Sequence, residues 1–392
     1  MKQLPRRLES IDVFRALTMF LMVFINDFDG IKNVPEWWKH VPDDADGLGF
    51  ADTIFPAFLF IVGLSLPFAI KNRIARGDST AKIAAYISLR GLALLIMGFF
   101  HVNLEQYNMD ALLPRYVWQI TITVAFFLVW LDYPATMQKK KRWLLQGIGI
   151  ALLIAMAAVY SDENEHWMST SWWGILGLIG WSYLLCAFVF LFTKGRPIAQ
   201  VIAFIFFFCF SIAAHAGRLE ALDFIEQYVW IISSGSLPAL TMAGVVVSVL
   251  YGYMSEKGKS NLFLSLLPIS GVVMIAIGFA LRPIGGISKV HDTPSWVGIC
   301  TGISILVFAG MIYLIDLKGK KNWFRFISPA GTSTLTCYLI PYILYSLYAS
   351  VHFKFPRFFN EGTGGFIRSV ATAAVVVAIT GVLERRKIRL KI

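Results

Sequence analysis

Apolar runs of about twenty residues recur from one end of this chain to the other, and they restrict its folding more than any other feature. A run of ~20 mostly apolar residues is what a helix needs to cross the hydrocarbon core of a bilayer. Twelve such segments can be marked, at about 11–28, 50–70, 83–101, 116–131, 143–160, 172–192, 197–215, 235–254, 261–281, 295–315, 327–349 and 365–383. In lipid every backbone N–H and C=O must be bonded within the protein, so segments of this kind span as helices. The expectation is an all-α, polytopic membrane protein with about 12 transmembrane helices, in the range 10–12, forming a single domain over 1–392. Of the 392 residues, 57% are hydrophobic and 15% charged. A soluble chain of this size could not hide that much apolar surface.

Orientation follows from where the positive charge collects, because Lys and Arg concentrate in cytoplasmic loops. With the N-terminus inside, the inner segments carry 24 Lys and Arg residues and the outer loops 8. Both termini are therefore expected in the cytoplasm. The net charge of +11 becomes a topological surplus and gives no reason to invoke nucleic acid. In a bacterium the membrane would be the plasma (inner) membrane. Lys2, Arg6 and Arg7 precede the first run as they would in a signal peptide, but Arg15 interrupts the run and no small-x-small cleavage site follows, so it reads as a retained helix. Cys186, Cys209, Cys300 and Cys337 sit in apolar runs with no CxxC or metal spacing and read as buried free thiols. The turn Thr193 to Pro197 joins two spans as a tight hairpin within 172–215, with Pro197 suited to a first helical position.

Under this topology all six histidines (His40, His101, His166, His215, His291 and His352) and most carboxylates fall on the outer side. Either these residues tolerate interfaces, or the outer half holds a proton-handling site. Asp12 and Arg15, three apart, share a helix face near the cytoplasmic interface. They form either an ion pair that orients the first helix or an anchor for an anionic ligand. Asn26 and Asp27 end the first span, where an amide caps backbone groups, polarises a carbonyl or orients a neighbouring imidazole. His40 lies in a loop with Trp37, Trp38, Asp43, Asp44 and Asp46; it is either a solvated loop histidine or a general base. Asp52 opens the second span, as a cap or as a fixed turn that holds the loop against the bundle. Arg90 inside the third span needs a partner or a polar cavity. Arg115 and Gln119 begin the fourth. The Lys139 to Arg142 run serves topology, meets lipid headgroups, or meets the phosphates of a cytoplasmic cofactor. His291, Asp292 and Trp296 form another outer cluster, for which interfacial anchoring by tryptophan is the plain explanation. Trp37, Trp38, Trp167, Trp172, Trp173, Trp230 and Trp296 could stack on sugar rings or belong to an aromatic belt.

Ser10-Ile-Asp-Val-Phe-Arg15, Met22-Val-Phe-Ile-Asn26, Lys39-His40, Asp46-Gly47 and Ala51-Asp-Thr-Ile-Phe-Pro56, running on to Gly63, occur in one order. This stretch, within 8–63, resembles the transmembrane domain of the heparan-α-glucosaminide N-acetyltransferase family and its bacterial relatives. Thr293 to Trp296, Ser333 to Tyr338 and the basic C-terminal tail are similar more weakly. The resemblance implies transfer of an acetyl group from cytoplasmic acetyl-CoA to a glucosamine-like amine, or a hydroxyl, of a sugar or glycan beyond the membrane, with no metal. It implies His40 and Asn26 as catalytic residues, and the reading of the residues themselves adds Asp52, Asp12 and Arg15 in support. Acetyl-CoA contacts would come from Arg15, Arg90, Arg115, Gln119 and Ser333. The chain departs from the family pattern at Ala16, Ile120 and Ser333, and the hairpin within 172–215 is extra. Membrane lipids are the surrounding partners, and a homodimer is left open. The alternative function is a transporter or flippase for a sugar or lipid-linked glycan, which the same spans would suit.

Overall fold

The computed structural model describes residues 8–170, 174–222, 224 and 234–392. Lys2, Arg6, Arg7, Trp172, Trp173, Glu226 and Trp230 lie outside the described residues. Among the described residues the protein is all-helical, with no β-strand. The long helices are α1 (Glu9–Phe28), α2 (Ala51–Ala75), α3 (Thr80–Val102), α4 (Arg115–Trp130), α5 (Lys139–Ala158), α6 (Gly174–Phe192), α7 (Pro197–His215), α8 (Ser236–Glu256), α9 (Ser260–Ala280), α10 (Pro294–Met311), α11 (Thr334–Ser350) and α12 (Gly362–Arg385). Each apolar segment marked in the sequence corresponds to one of them. Among the described residues, nine are long and apolar enough to cross a membrane: α2, α3, α5 to α9, α12, and α10 with its π-helical extension to Leu317. Three are more marginal. Helix α1 contains Asp12, Arg15 and Asp27, α4 has 16 residues, and α11 has 17. The segment expected as one helix over 327–349 is kinked at Ser333, whose φ of −126° and ψ of 48° leave the helical region between a short helix at Ser328–Thr332 and α11.

The chain's contacts form two compact units. The first contains residues through Thr18, Val34–Gly91 and Ile179–Ser328. At its centre α2 and α8 meet backbone to backbone. A Cβ on Gly63 would lie 1.9 Å from the Thr241 carbonyl, and one on Gly244 would lie 2.0 Å from the Phe60 carbonyl. Helices α9 and α10 meet in the same way, through Gly278 with Gly298 and Gly271 with Gly302. Lipid offers no hydrophobic drive between helices, so close packing of this kind supplies the van der Waals contact that holds them. Leu8, Phe14, Phe60, Leu64, Tyr251 and Phe308 fill one part of the unit's core.

The second unit contains Met19–Asn33, Leu92–Leu178 and Pro329–Ile392. Trp118 is fully buried among Phe100, Tyr107 and Tyr160, and its indole N–H donates to the Met156 carbonyl at 2.8 Å. A buried Asp27 ties the end of α1 to α11 and α12. It accepts from Tyr345 Oη (2.9 Å), Ser369 Oγ (2.8 Å) and Arg368 Nε (3.2 Å). Burying a carboxylate this way is tolerated because it is paired with a guanidinium and fully hydrogen-bonded.

The four thiols are free, and Cys186, Cys300 and Cys337 are buried. Cys209 departs from the expectation and is exposed. Helix α7 turns an apolar face outward, with Ile198, Ile202, Ile205 and Phe206 exposed, and a thiol on that face needs no core.

Candidate active site

The loop after α1 is fixed by its own aromatic residues. Pro35 starts a single 3₁₀ turn, Glu36–Trp38. Trp37 stacks on Trp38 with centroids 4.5 Å apart, and Trp38 meets Phe50 edge to face at 5.0 Å. The Phe50 N–H donates to the Trp37 carbonyl at 2.7 Å, closing the loop at the start of α2. Gly49 is required at this crossing, because a Cβ there would lie 1.9 Å from the Lys39 carbonyl.

Within this loop the structure brings His40 and Asp52 together. Asp52 Oδ1 lies 2.7 Å from His40 Nδ1, and the carboxylate is 2% exposed. Its other oxygen accepts the backbone N–H groups of Val41 (3.1 Å) and Gly49 (3.0 Å). An ionised carboxylate only accepts, so Nδ1 carries the proton and Nε2 keeps a lone pair. The imidazole is 33% exposed, so the ring is partly open to solvent. A histidine held in one tautomer by a buried acid is an arrangement suited to proton abstraction or nucleophilic attack.

A second loop, between α9 and α10, is pinned against the first. Asp46 accepts from the Ile287 N–H (2.7 Å) and Arg282 Nε (2.9 Å), and these two donors hold its carboxyl below the usual carboxylate range. The Gly47 N–H returns a bond to the Ile287 carbonyl at 3.0 Å. The pinned loop places Lys289 Nζ 3.1 Å from His40 Nδ1 and 3.5 Å from Nε2. Asp292, next to it, is buried in a left-handed conformation with φ of 52°. Burial pushes its carboxyl up to about 7 against the pull of Lys289. Trp296 differs from the interfacial anchor expected of it. It is fully buried and donates its indole N–H to the Asp52 carbonyl at 3.1 Å, locking the base of the dyad from α10.

The remaining candidates are placed singly. In the first unit Arg15 pairs with Asp12 at 3.3 Å and also bonds Ser65 Oγ. Arg90 donates to Tyr86 Oη at 3.1 Å and lies over the Tyr183 ring, 5.1 Å from its centroid. Its Nε is buried without a hydrogen-bond partner among the described residues. In the second unit Asn26 is exposed at the end of α1. Arg115 is exposed at the start of α4, and Gln119 donates to the Tyr342 carbonyl at 3.2 Å. The buried Ser333 Oγ makes no hydrogen bond with the described residues. Local sequence patterns missed two parts of these sites, Lys289 and the Arg368 partner of Asp27. The signal for Lys289 was its place among the few outer cations, two residues before His291.

The model of a family described as a domain of unknown function, DUF5009, matches residues 7–217, more than half of the chain. The chain belongs to this family. Asn26, His40 and Asp52 all fall inside the DUF5009 region, whereas Lys289 and Trp296 lie beyond it. The chain is also similar to heparan-alpha-glucosaminide N-acetyltransferase of Homo sapiens, 35% identical over 100 residues, and of Mus musculus, 35% identical over 97 residues. These matches cover 26% and 25% of this chain and 14% of each relative. The nine helices among the described residues that are long and apolar enough to cross a membrane support an integral, multi-pass membrane protein, and one quarter of the chain is similar to an N-acetyltransferase.

Proposed function

We propose that the protein is a transmembrane acyltransferase. It moves an acetyl group from cytoplasmic acetyl-CoA to an amine or hydroxyl of a sugar or glycan on the outer side. The observation that carries this reading is the His40–Asp52 dyad, 2.7 Å between Nδ1 and Oδ1, on a loop stiff enough to aim it. Likeness to an enzyme whose name specifies N-acetyl transfer to a glucosaminide supports it and favours a glucosamine-like acceptor.

In this reading the chain is one catalytic domain with twelve spans and both termini in the cytoplasm. In a bacterium it sits in the inner membrane. His40 Nε2 takes the proton from the attacking group, or itself receives the acetyl group before passing it on. Base help of this kind is worth about 10²–10⁴-fold. Asn26 polarises the thioester carbonyl. Arg15, paired with Asp12, contributes with Arg90, Arg115, Gln119 and Ser333 to holding acetyl-CoA, whose phosphates need cations. The half-buried Arg90, with no carboxylate bonded to it among the described residues, is the strongest of this set.

The test is transfer of labelled acetyl from acetyl-CoA to glucosamine by the protein in proteoliposomes. His40→Ala should abolish transfer while the variant elutes and unfolds like the wild type. Full activity in His40→Ala would remove His40 from the mechanism. Sugar uptake without acetyl-CoA would favour a transporter instead.

A further inference from the structure

Resting on that acyltransferase reading, we propose that Lys289 is a catalytic residue, the cation that stabilises the oxyanion formed at the acetyl carbonyl. Lys289 Nζ lies 3.1 Å from Nδ1 and 3.5 Å from Nε2 of the His40 ring. A point in the ring plane that close to both nitrogens would collide with Cε1, the carbon between them. The ammonium therefore sits over a face of the imidazole. Nδ1 already gives its proton to Asp52. The Nε2 lone pair lies in the ring plane and points away from both Asp52 and Lys289.

This geometry separates two tasks. The lone pair works in the plane, and the positive charge waits above it. When a nucleophile adds to a thioester carbonyl at Nε2, the carbon becomes tetrahedral. Its oxygen can then leave the ring plane toward the face that Lys289 covers. If Nε2 acts as a base, the attacking nitrogen or oxygen occupies the adjacent position, and the carbonyl oxygen still falls within reach of the flexible lysine. In either route the carbonyl π pair moves onto oxygen, where the ammonium stabilises it. The pair then returns as the C–S bond breaks. The CoA sulfur leaves with the C–S electron pair. In the base route it takes up the proton that Nε2 drew from the acceptor. In the covalent route it leaves as thiolate, and the acceptor then attacks the acetyl group. The Nε2–acetyl bond breaks with its pair returning to Nε2, and the acceptor's proton goes to the thiolate. Amine plus acetyl thioester give amide plus free thiol, with no other reactant.

The charge is also held in place before reaction, which is what makes such a donor effective. Its loop is fixed by Asp46 through the Ile287 N–H and Arg282, by the Gly47–Ile287 bond, and by the Ser288 N–H on Thr293 Oγ1 at 3.0 Å. A lysine kept only for solubility would not need its loop tied at four points beside a histidine dyad.

The test uses the full chain in proteoliposomes, with labelled acetyl-CoA as donor and glucosamine as acceptor. Lys289→Met should lower kcat by about 10²–10³-fold with KM for acetyl-CoA unchanged, the signature of an interaction made only in the transition state. Lys289→Arg keeps the charge but shifts it, and should restore most of that loss. A Lys289→Met enzyme within about threefold of wild-type kcat, or one that raises KM alone, overturns the assignment. If Lys289→Met does not fold, the neutral Lys289→Gln decides: a kcat lowered at constant KM supports the role, and a kcat within about threefold of wild type, or a raised KM alone, overturns it. Absence of transfer by the wild-type protein would instead remove the acyltransferase reading beneath the proposal.

Discussion

At the scale of single residues, the dyad owes its tautomer to the charge of Asp52. One oxygen faces His40 Nδ1 and the other faces two backbone N–H groups. In Asp52→Asn the amide nitrogen cannot face two donors, so the carbonyl takes that side and the NH₂ turns to His40. That donor demands a lone pair on Nδ1, which moves the ring proton to Nε2 and blocks the base. Acetyl transfer should fall by about 10²–10⁴-fold while the chain stays folded, as kinetics beside a thermal melt would show. Asp292 behaves differently. Its folded value of about 7 lies above the ordinary 3.8, so the folded chain binds this proton more tightly than the unfolded chain. The linked stability is complete below about 3.8 and is lost as pH rises toward about 7. Asp292→Asn removes the titration, and asparagine tolerates the left-handed backbone. The variant's gain in Tm over wild type should therefore grow between about pH 5 and pH 8. Equal Tm differences at both pH values would contradict the buried, titrating carboxyl. Legibility also divides at this scale. His40 and Asp52 are 12 residues apart on either side of a turn, and each was visible separately. Lys289 reaches His40 across 249 residues of chain, a distance no local pattern bridges.

At the scale of helices, lipid leaves an apolar run of twenty residues one way to satisfy its backbone, and the helices were accordingly readable from the sequence. Where local signals competed, the reading blurred, as at Ser333, where apolar character continues across a kink that hydropathy does not register. Which helices touch was not readable. That choice belongs to glycines such as Gly63 and Gly244, which look like ordinary small residues in the sequence but face carbonyl oxygens of the opposite helix. The sign of a substitution exposes this role. In a freely exposed helix, Gly→Ala stabilises by about 0.5–1 kcal/mol. In Gly244→Ala the new methyl would sit 2.0 Å from the Phe60 carbonyl, so α2 and α8 must move apart. We expect a net loss of about 1–3 kcal/mol, seen as a lower Tm in detergent. Gly147 has nothing near its absent Cβ, and Gly147→Ala supplies the control of opposite sign.

For the molecule as a whole, the proposed reaction has a direction through the membrane, and that direction follows from charge. On the proposed topology the inner segments hold 24 Lys and Arg residues against 8 in the outer loops, the surplus that marks a cytoplasmic side, and the proposal puts the His40 loop on the other side. Acetyl-CoA is polyanionic and cannot cross lipid unaided. Two arrangements are then distinguishable. If the donor docks among the inner cations and reaches His40 through the helices, only the cytoplasmic face needs access to it. Sealed inside-out vesicles, with glucosamine enclosed and labelled acetyl-CoA added outside, should accumulate the acetylated sugar. Right-side-out vesicles given both outside should not, because the donor meets the wrong face. Detergent removes the barrier and should make the two preparations equally active. Activity confined to right-side-out vesicles would place the donor on the histidine side. The basic inner face would then serve topology alone, and Arg15 and Arg90 would lose their place in donor binding.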